Sequence, residues 1–554
     1  MTQGGVVFMF IGRRGWLGAL SLALVLGTTA MGAQAGAGPA AAAGPRVLLV
    51  GSFHGVHGQY SSVQAAVDAA HRGDWILIAP CDYHETADES SASSSYPSAI
   101  ADGDFGGVLI TTPNLHLRGM SRSAVVIDGT KKGAPQACDA SPQWQDFGTA
   151  GSGGTPSGRN GILIWNANGV SLQNLTVCNF LAGSGASGNE IWWNGGYESA
   201  KIGIHGYSGS YLTATSTFFG PDGSISAEKT AAQYGIFSSN ASAGSWDQIY
   251  ASNFNDSGTY VGACLQLCNV TITNAWMEYS ALGYSGTNSG GAVVIEHSQF
   301  DNNKDGFDTN TQIGGDAPAP QNGACPGDKT SPLTGTHSCW VFMDNYVHDN
   351  NNPNVPAAGA ASNGPTGTGM TVSGGRNDTV MNNRFVNNGA WGVLFVPYPD
   401  SSTPADGQTC ASTGGVQESG LGCVYDPQGD ALLHNTFTHD GFFANPSNVD
   451  FGELTLNAHE IQNCFRANVA PQGSVPANLE QAQAKCGPTT QASNADPTLL
   501  GQVLCDTGFG SCPAGASYPA FTGVVMHPLP KLATMPNPCA GVPSNAWCRS
   551  GKPV

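Results

Sequence analysis

Apolar and polar positions alternate along most of this chain in short segments, and the segments repeat. Residues 293–310, VVIEHSQFDNNKDGFDTN, show one unit: Val293 and Ile295 alternate with polar neighbours, Ser298 follows, then Phe300, Asn302, Asn303 and Gly306. The order returns with Ser252, Phe254 and Asp256, and with Asp344, Tyr346, His348 and Asp349. It returns again with Asn383, Phe385, Asn387, Asn388 and Gly392, and with Asn435, Phe437, His439, Asp440 and Gly441. Phe254, Met277 and Phe300 lie 23 residues apart. Such a period marks a solenoid, in which each unit buries its apolar face only against a neighbour.

Period-two alternation, short segments and frequent Gly and Asn predict strands rather than helices. Asn and Asp tolerate left-handed backbone at tight corners and bond nearby main chain. Ser252, Ser298, Asp344, Asn383 and Asn435 therefore predict one polar ladder stacked inside successive turns. His348 and His439 align with Asn302 and Asn387 as corner residues. These coils, with F-x-N-N-x-x-x-G spacing, resemble right-handed parallel β-helix proteins of the pectin-lyase-like superfamily over residues 46–456. The resemblance implies an all-β solenoid and leaves the chemistry open.

Near the start, Ser61-Ser62-Val63-Gln64 reads as a capping box, with Val63, Ala66, Val67 and Ala70 on one face of a short helix. From Ser62 to Glu85, S-V-Q-A-A-V-D-A-A followed by G-D-x-I-x-I-x-P-x-x-Y-x-E is similar to the cap and first coil of pectinesterase-like β-helix proteins. That likeness makes the helix a plug for the open end of the solenoid, with Tyr83 and Glu85 structural. Long Gly/Ser/Pro insertions at about residues 86–106, 131–160, 183–199, 314–338, 350–368 and 397–428 are expected to wall one sheet. Periodicity fades after residue 456, so residues 457–554 read as an extended, Cys-containing C-terminal cover.

Composition adds a location. Arg13-Arg14, an apolar run from Trp16 to Gly27 and Ala33-Gln34-Ala35 make residues 1–35 a signal peptide, followed by a linker at 36–45. The mature chain is expected to be secreted, monomeric and free of the membrane. Without the leader the net charge is −21, which argues against nucleic acid and against a strongly polyanionic partner lacking a cation. Most of the 15 Cys fall into local couples, namely 264/268, 325/339, 410/423, 464/486, 505/512 and 539/548, with Cys81/Cys138 more distant and Cys178 left over. No C-x-x-C stands beside His, so no zinc site is expected.

The residue after each strand-restarting Gly should point inward and the next outward. Ile162, Ile204, Ile236, Phe307 and Met370 would then be interior. Trp165, His205, Tyr207, Phe237, Asp308 and Asn310 would line one outer face, a mixture that suits sugar rings and their hydroxyls. Asp305 and Asp308 are the acid/base candidates, with Lys304, His205 and Arg376 as further catalytic candidates and Ca²⁺ as a possible partner. The loop GNEIWWNGG offers Glu190, Trp192 and Trp193 to substrate. The polygalacturonase-like motif set is absent, and of the D-P-H-D pattern of mannuronan epimerases only the flanking acids, Asp305 and Asp308, are kept. The expected function is action on an extracellular polysaccharide as lyase, hydrolase or epimerase; the alternative is a non-catalytic carbohydrate-binding or cell-surface scaffold.

Overall fold

A computed structural model describes residues 44–86, 106–149, 156–183, 185–196, 202–220, 231–262, 264, 268–311, 338–401, 407–456, 461–487, 489 and 496–554. The leader expected at 1–35 lies outside them.

The unit at 293–310 is one turn of a three-sided coil. Val293–Glu296 and Gln299–Asp301 join a long sheet, and Asp305–Asn310 joins a second one. His297 and Asn302 form the corners between them, with φ of 51° and 56°. Successive turns pair in parallel. Ile272, Ile295, Phe342, Val380, Leu432 and Phe465 make one buried column. Met277, Phe300, Val347, Phe385 and Phe437 make another. Among the described residues the larger sheet has 20 strands and the smaller 11, the latter in chain order from Gly106–Ile110 to Ser474–Val475. The chain is a parallel β-helix.

Two polar ladders run up its corners. In the first, the side-chain oxygens of Asn345, Asn383, Asn435 and Asn468 accept the backbone N–H of Ser298, Asn345, Asn383 and Asn435 respectively, each at 2.9 Å. Glu480 ends it by accepting from Asn468 at 2.8 Å. The second runs through Ser280, Asn303, Asn350, Asn388 and Asp440. A residue with positive φ precedes every rung: His297, Asp344, Asn382 and His434 in the first, Asn302, Asp349, Asn387 and His439 in the second. The ladder expectation is therefore corrected at two places. Asp344 is the corner and Asn345 the rung, while Ser252 stands in a different column, bonded to Thr215 at 2.8 Å. His439 is a corner residue as expected; His348 falls one residue short, at a strand end beside Asp349.

Glycine restarts the strands of the smaller sheet because turns approach closely there. A Cβ on Gly306 would sit 2.4 Å from the Gly369 carbonyl oxygen, and one on Gly283 2.4 Å from that of Gly306. At the N-terminal end the helix Val63–Ala69 caps the core, with Val63, Ala66 and Val67 buried. Its N-cap is Ser62 rather than Ser61. Glu85 accepts from the Val63 and Gln64 N–H groups at 2.6 and 3.2 Å, while the Gln64 side chain bonds Asp68 and Leu109 and closes no capping box.

The disulfide expectation needs one correction. Cys138 pairs with Cys178, and Cys81 is an exposed free thiol. Cys178 pairs in register with Asp128, whose carboxylate accepts from Cys138 N at 2.7 Å, so the coil brings these two together. Five local couples form as expected, and Cys325 of the sixth lies outside the described residues.

Past residue 456, Cys464–Arg466 and Ser474–Val475 extend both sheets, and the helix Pro497–Asp506 follows. The rest of the chain then returns along the whole solenoid. Asn445 clasps Ser517 through both backbone groups, and Asn253 clasps His527 in the same way. Arg122 donates to the Ala533 carbonyl, and Arg118 to those of Pro538 and Ala540. Trp547 packs in a cluster with Leu49 and Leu77 at the first coil.

Burial raises the pKa of several coil acids, which sets a pH dependence of stability. Burial pushes Asp440 and Glu278 up to about 7 and Asp450 up to about 6. A raised folded-state pKa means stability that is full below the ordinary carboxylate range and is lost as pH rises through the shifted values. Thermal unfolding should therefore come at lower temperature at pH 8.5 than at pH 5, by on the order of 5 °C. An unchanged melting temperature across that range would contradict neutral carboxyls in the coil.

Candidate functional site

The outer face of the 11-stranded sheet carries an ordered column. Parallel register puts Leu163, Trp192, Phe237, Tyr260, Ser285, Asp308, Thr371 and Leu394 on successive turns. Its first half is aromatic. Trp192 stacks on Phe237 at 5.1 Å between ring centroids, and Phe237 on Tyr260 at 4.7 Å and nearly parallel. Trp165 joins this cluster one position along. The second half is polar and lies in a cavity of about 550 Å³. Walls come from residues 358–361 and 363–365, from 397–399, from Leu421 and Val424, and from Leu500, Val503 and Leu504 of the C-terminal helix. Two of the expected insertions thus do wall the sheet.

Asp308 lines this groove half-buried, while Asp305 behind it is fully buried. Thr371 Oγ1 lies 2.7 Å from Asp308 Oδ1, 2.8 Å from Asp305 Oδ2 and 3.3 Å from the Phe307 carbonyl. A hydroxyl owns one proton, so it can donate to only one of these acceptors, and the second carboxyl contact is satisfied when that carboxyl is protonated. Electrostatics agree. Burial pushes Asp305 well above the ordinary carboxylate range, with Asp308 repelling it as well. Burial raises Asp308 too, opposed by hydrogen bonds from Ser373 (2.7 Å), Thr371 and Asn310 (3.1 Å). Thr371 thus bridges the two carboxyls, and two acids this closely linked titrate as a unit. It can deliver or take up a proton at the groove floor.

The other expected site residues divide. Asn310 lines the groove, 6% exposed. Phe237, Trp192 and Trp165 lie on the same sheet face but are buried in an apolar cluster and do not line the cavity, so they are not placed to meet substrate there. Lys304 does not face the cavity: its ammonium donates to the carbonyls of Ser362 (2.6 Å) and Gly364, so it anchors the wall above Asp305. Burial lowers its pKa, while Asp506 and Asp305 oppose the shift. Arg376 is 1% exposed and donates to the Asp426 and Gly414 carbonyls, holding a loop rather than meeting substrate. His205 is exposed but sits on Ile204–Thr215, a strand of the other sheet. Tyr207 on that strand points inward and stacks among Trp193 and Trp246 in the core. Trp193 is fully buried in the same cluster. Glu190 is fully buried and accepts from Phe180 N at 3.2 Å; burial raises its pKa strongly.

Two groove residues were not expected. Tyr234 donates to Asp256 Oδ2 at 3.2 Å, and both line the cavity. Asp256 stands in the repeat, where it reads as a turn residue; its place directly before the strand Ser257–Gly262 is the signal that could have marked it.

The register alone makes the chain a parallel β-helix. No protein-family model matches it, and no curated protein does. Solved structures with a similar fold include the A-module of the mannuronan C-5 epimerase AlgE4 from Azotobacter vinelandii, at 11% identity and a TM-score of 0.40, covering 74% of this chain and 91% of that one. An alginate lyase from Paenibacillus sp. str. FPU-7 is similar at 12% identity and 0.32, over 78% and 96% of the two chains. A tailspike protein of E. coli bacteriophage HK620 in complex with a pentasaccharide is similar at 12% and 0.37, over 73% and 57%. At these scores the likenesses carry no chemistry over.

The described groove residues form no cluster suited to a bare cation. The oxygens of Asp308 already accept from Thr371, Ser373 and Asn310. Asp82, His84 and Asp128, whose ligand atoms lie within 4.8 Å of one another, sit together on the other sheet. There His84 is also engaged with Asp82 at 3.2 Å and the Thr130 carbonyl at 2.8 Å.

Proposed function

We propose that this protein is secreted and acts on polysaccharide in the groove of the 11-stranded sheet, with Asp308 as the proton-handling group. One observation carries the reading: a half-buried acid on the groove floor, Asp308, is bridged by the Thr371 hydroxyl to a second, fully buried acid, Asp305, in a cavity that Tyr234 and Tyr260 also line. Aromatic faces pack against the axial hydrogens of sugar rings, and an acid with a raised pKa is what protonation of a leaving oxygen or abstraction of a ring proton requires. Asp305 supports Asp308 from inside the coil and does not meet the substrate. Asp256 is the other carboxylate among the described lining residues and is the candidate for the second role that glycoside hydrolysis requires. Leader and disulfides support secretion.

The test is product analysis. Mature protein, residues 36–554, is incubated with neutral and uronic-acid polymers, with Ca²⁺ and with chelator, while near-ultraviolet absorbance and new reducing ends are followed. Unsaturated ends identify a lyase and reducing ends alone a hydrolase. A change in uronate composition without chain cleavage identifies an epimerase. No product on any polymer, with retention on an immobilised one, would replace this reading by the binding scaffold.

A further inference from the structure

We infer that the groove takes a neutral, hydroxyl-bearing glycan and rejects uronans. The inference rests on the polysaccharide reading above and narrows it to a substrate class.

The first observation is the sign of the lining. Among the described residues lining the cavity, Asp256 and Asp308 are acidic and none is Lys, Arg or His. The nearest cations are already committed. Lys304 is turned under the wall onto the Ser362 and Gly364 carbonyls, and Arg376 is buried against the Asp426 and Gly414 carbonyls. The chain as a whole carries −19. A uronan brings one carboxylate per sugar. Placing one about 5 Å from an ionised Asp, at the effective dielectric of a protein surface, costs affinity on the order of a hundredfold. Neutralising that carboxylate would take a cation, and the described lining supplies none.

The second observation is an unpartnered acceptor. Asn310 lines the groove at 6% exposure. Its Nδ2 donates to Asp308 Oδ2 at 3.1 Å, which fixes the orientation of the amide. Oδ1 is left buried with no hydrogen-bond partner. Only a donor satisfies it, and a buried unpaired acceptor is costly. A sugar hydroxyl is such a donor; a uronate carboxylate is another acceptor and would be repelled. Beside it Asp308 offers a further acceptor, so the polar part of the floor reads hydroxyl groups. Tyr234 and Tyr260, which line the cavity, add ring contact without regard to charge.

The experiment is native affinity electrophoresis of the whole mature protein. Gels contain xylan, mixed-linkage β-glucan, galactomannan, polygalacturonate or alginate, at low and high ionic strength. At least one neutral polymer is expected to retard the protein, little affected by salt because no ion pair is involved. The uronans should not retard it at low salt. Asn310→Ala should weaken retardation by the neutral polymer roughly three- to tenfold, with thermal unfolding unchanged. Asn310→Ser reads the same contact should the alanine variant melt early. Retardation by a uronan equal to or stronger than by every neutral polymer would overturn the inference and leave the carbohydrate groove standing. Unchanged affinity in both Asn310 variants would also overturn it. Absence of retardation by all five polymers would end both readings together.

Discussion

Asp308→Asn should lower turnover about 10²–10⁴-fold while the protein stays folded and still binds polymer, since loss of a positioned acid or base costs that much. Asparagine matches the shape of the carboxylate. Its oxygen can still accept from Thr371 and Ser373, now at 2.7 Å each. It cannot take up or release a proton as the carboxyl does. The measurement is initial rate at saturating polymer for the parent and the variant, with retention on immobilised polymer as the control for binding. The pH profile gives a second handle. Burial raises both acids, and Asp308 repels Asp305 in addition, so the protonated form persists above the ordinary carboxylate range. If Asp308 acts as the acid, activity should be highest below the raised value and fall as pH climbs through it. More than about a tenth of parent turnover in Asp308→Asn would remove the acid from the mechanism.

Much of the fold could be read from the chain because the coil repeats its own constraints. Phe300, Phe385 and Phe437 are spaced to stack, and the paired Asn residues mark the corners. What failed was register at single residues. Asp344 and Asn345 are both good corner residues, and only the closure of the turn decides which takes positive φ and which reaches inward. The rule that Gly restarts an outward-facing strand holds for Gly235, Gly306 and Gly369, which lie in one column of closely stacked turns with Gly258 and Gly283. After Gly203 the alternation also holds, with Ile204 buried and His205 exposed, but the strand Ile204–Thr215 belongs to the larger sheet, and Gly206, at φ 79°, interrupts the alternation before Tyr207. Tyr207 therefore points into the core, and His205 lies off the groove. Lys304 and Arg376 show another limit. Sequence displays a cation, but the carbonyls that capture it belong to loops whose path is set by tertiary packing.

Asn383→Ala should destabilise the protein by about 3–5 kcal/mol, the largest stability effect expected of a single polar substitution here. Asn383 is 1% exposed and sits mid-ladder. Its Oδ1 accepts from Asn345 N at 2.9 Å, and its Nδ2 donates to the Phe342 carbonyl at 2.9 Å and to Asn435 Oδ1 at 3.0 Å. Alanine leaves the Asn345 N–H and the Phe342 carbonyl buried without these partners, and water has no ready path between stacked turns. Each such group costs about 1–3 kcal/mol, to which a side-chain-sized void is added. Asn383→Asp separates the causes. It keeps the acceptor for Asn345 but replaces the donor by an oxygen facing Asn435 Oδ1 and the Phe342 carbonyl, a geometry tolerable only when the new acid is protonated. That variant should approach the parent at pH 4–5 and fall well below it at pH 8, whereas Asn383→Ala should show no such additional pH dependence. Denaturant midpoints at the two pH values decide the matter. A loss below about 1 kcal/mol in Asn383→Ala would mean that the ladder is decoration on a solenoid held by its aromatic columns alone.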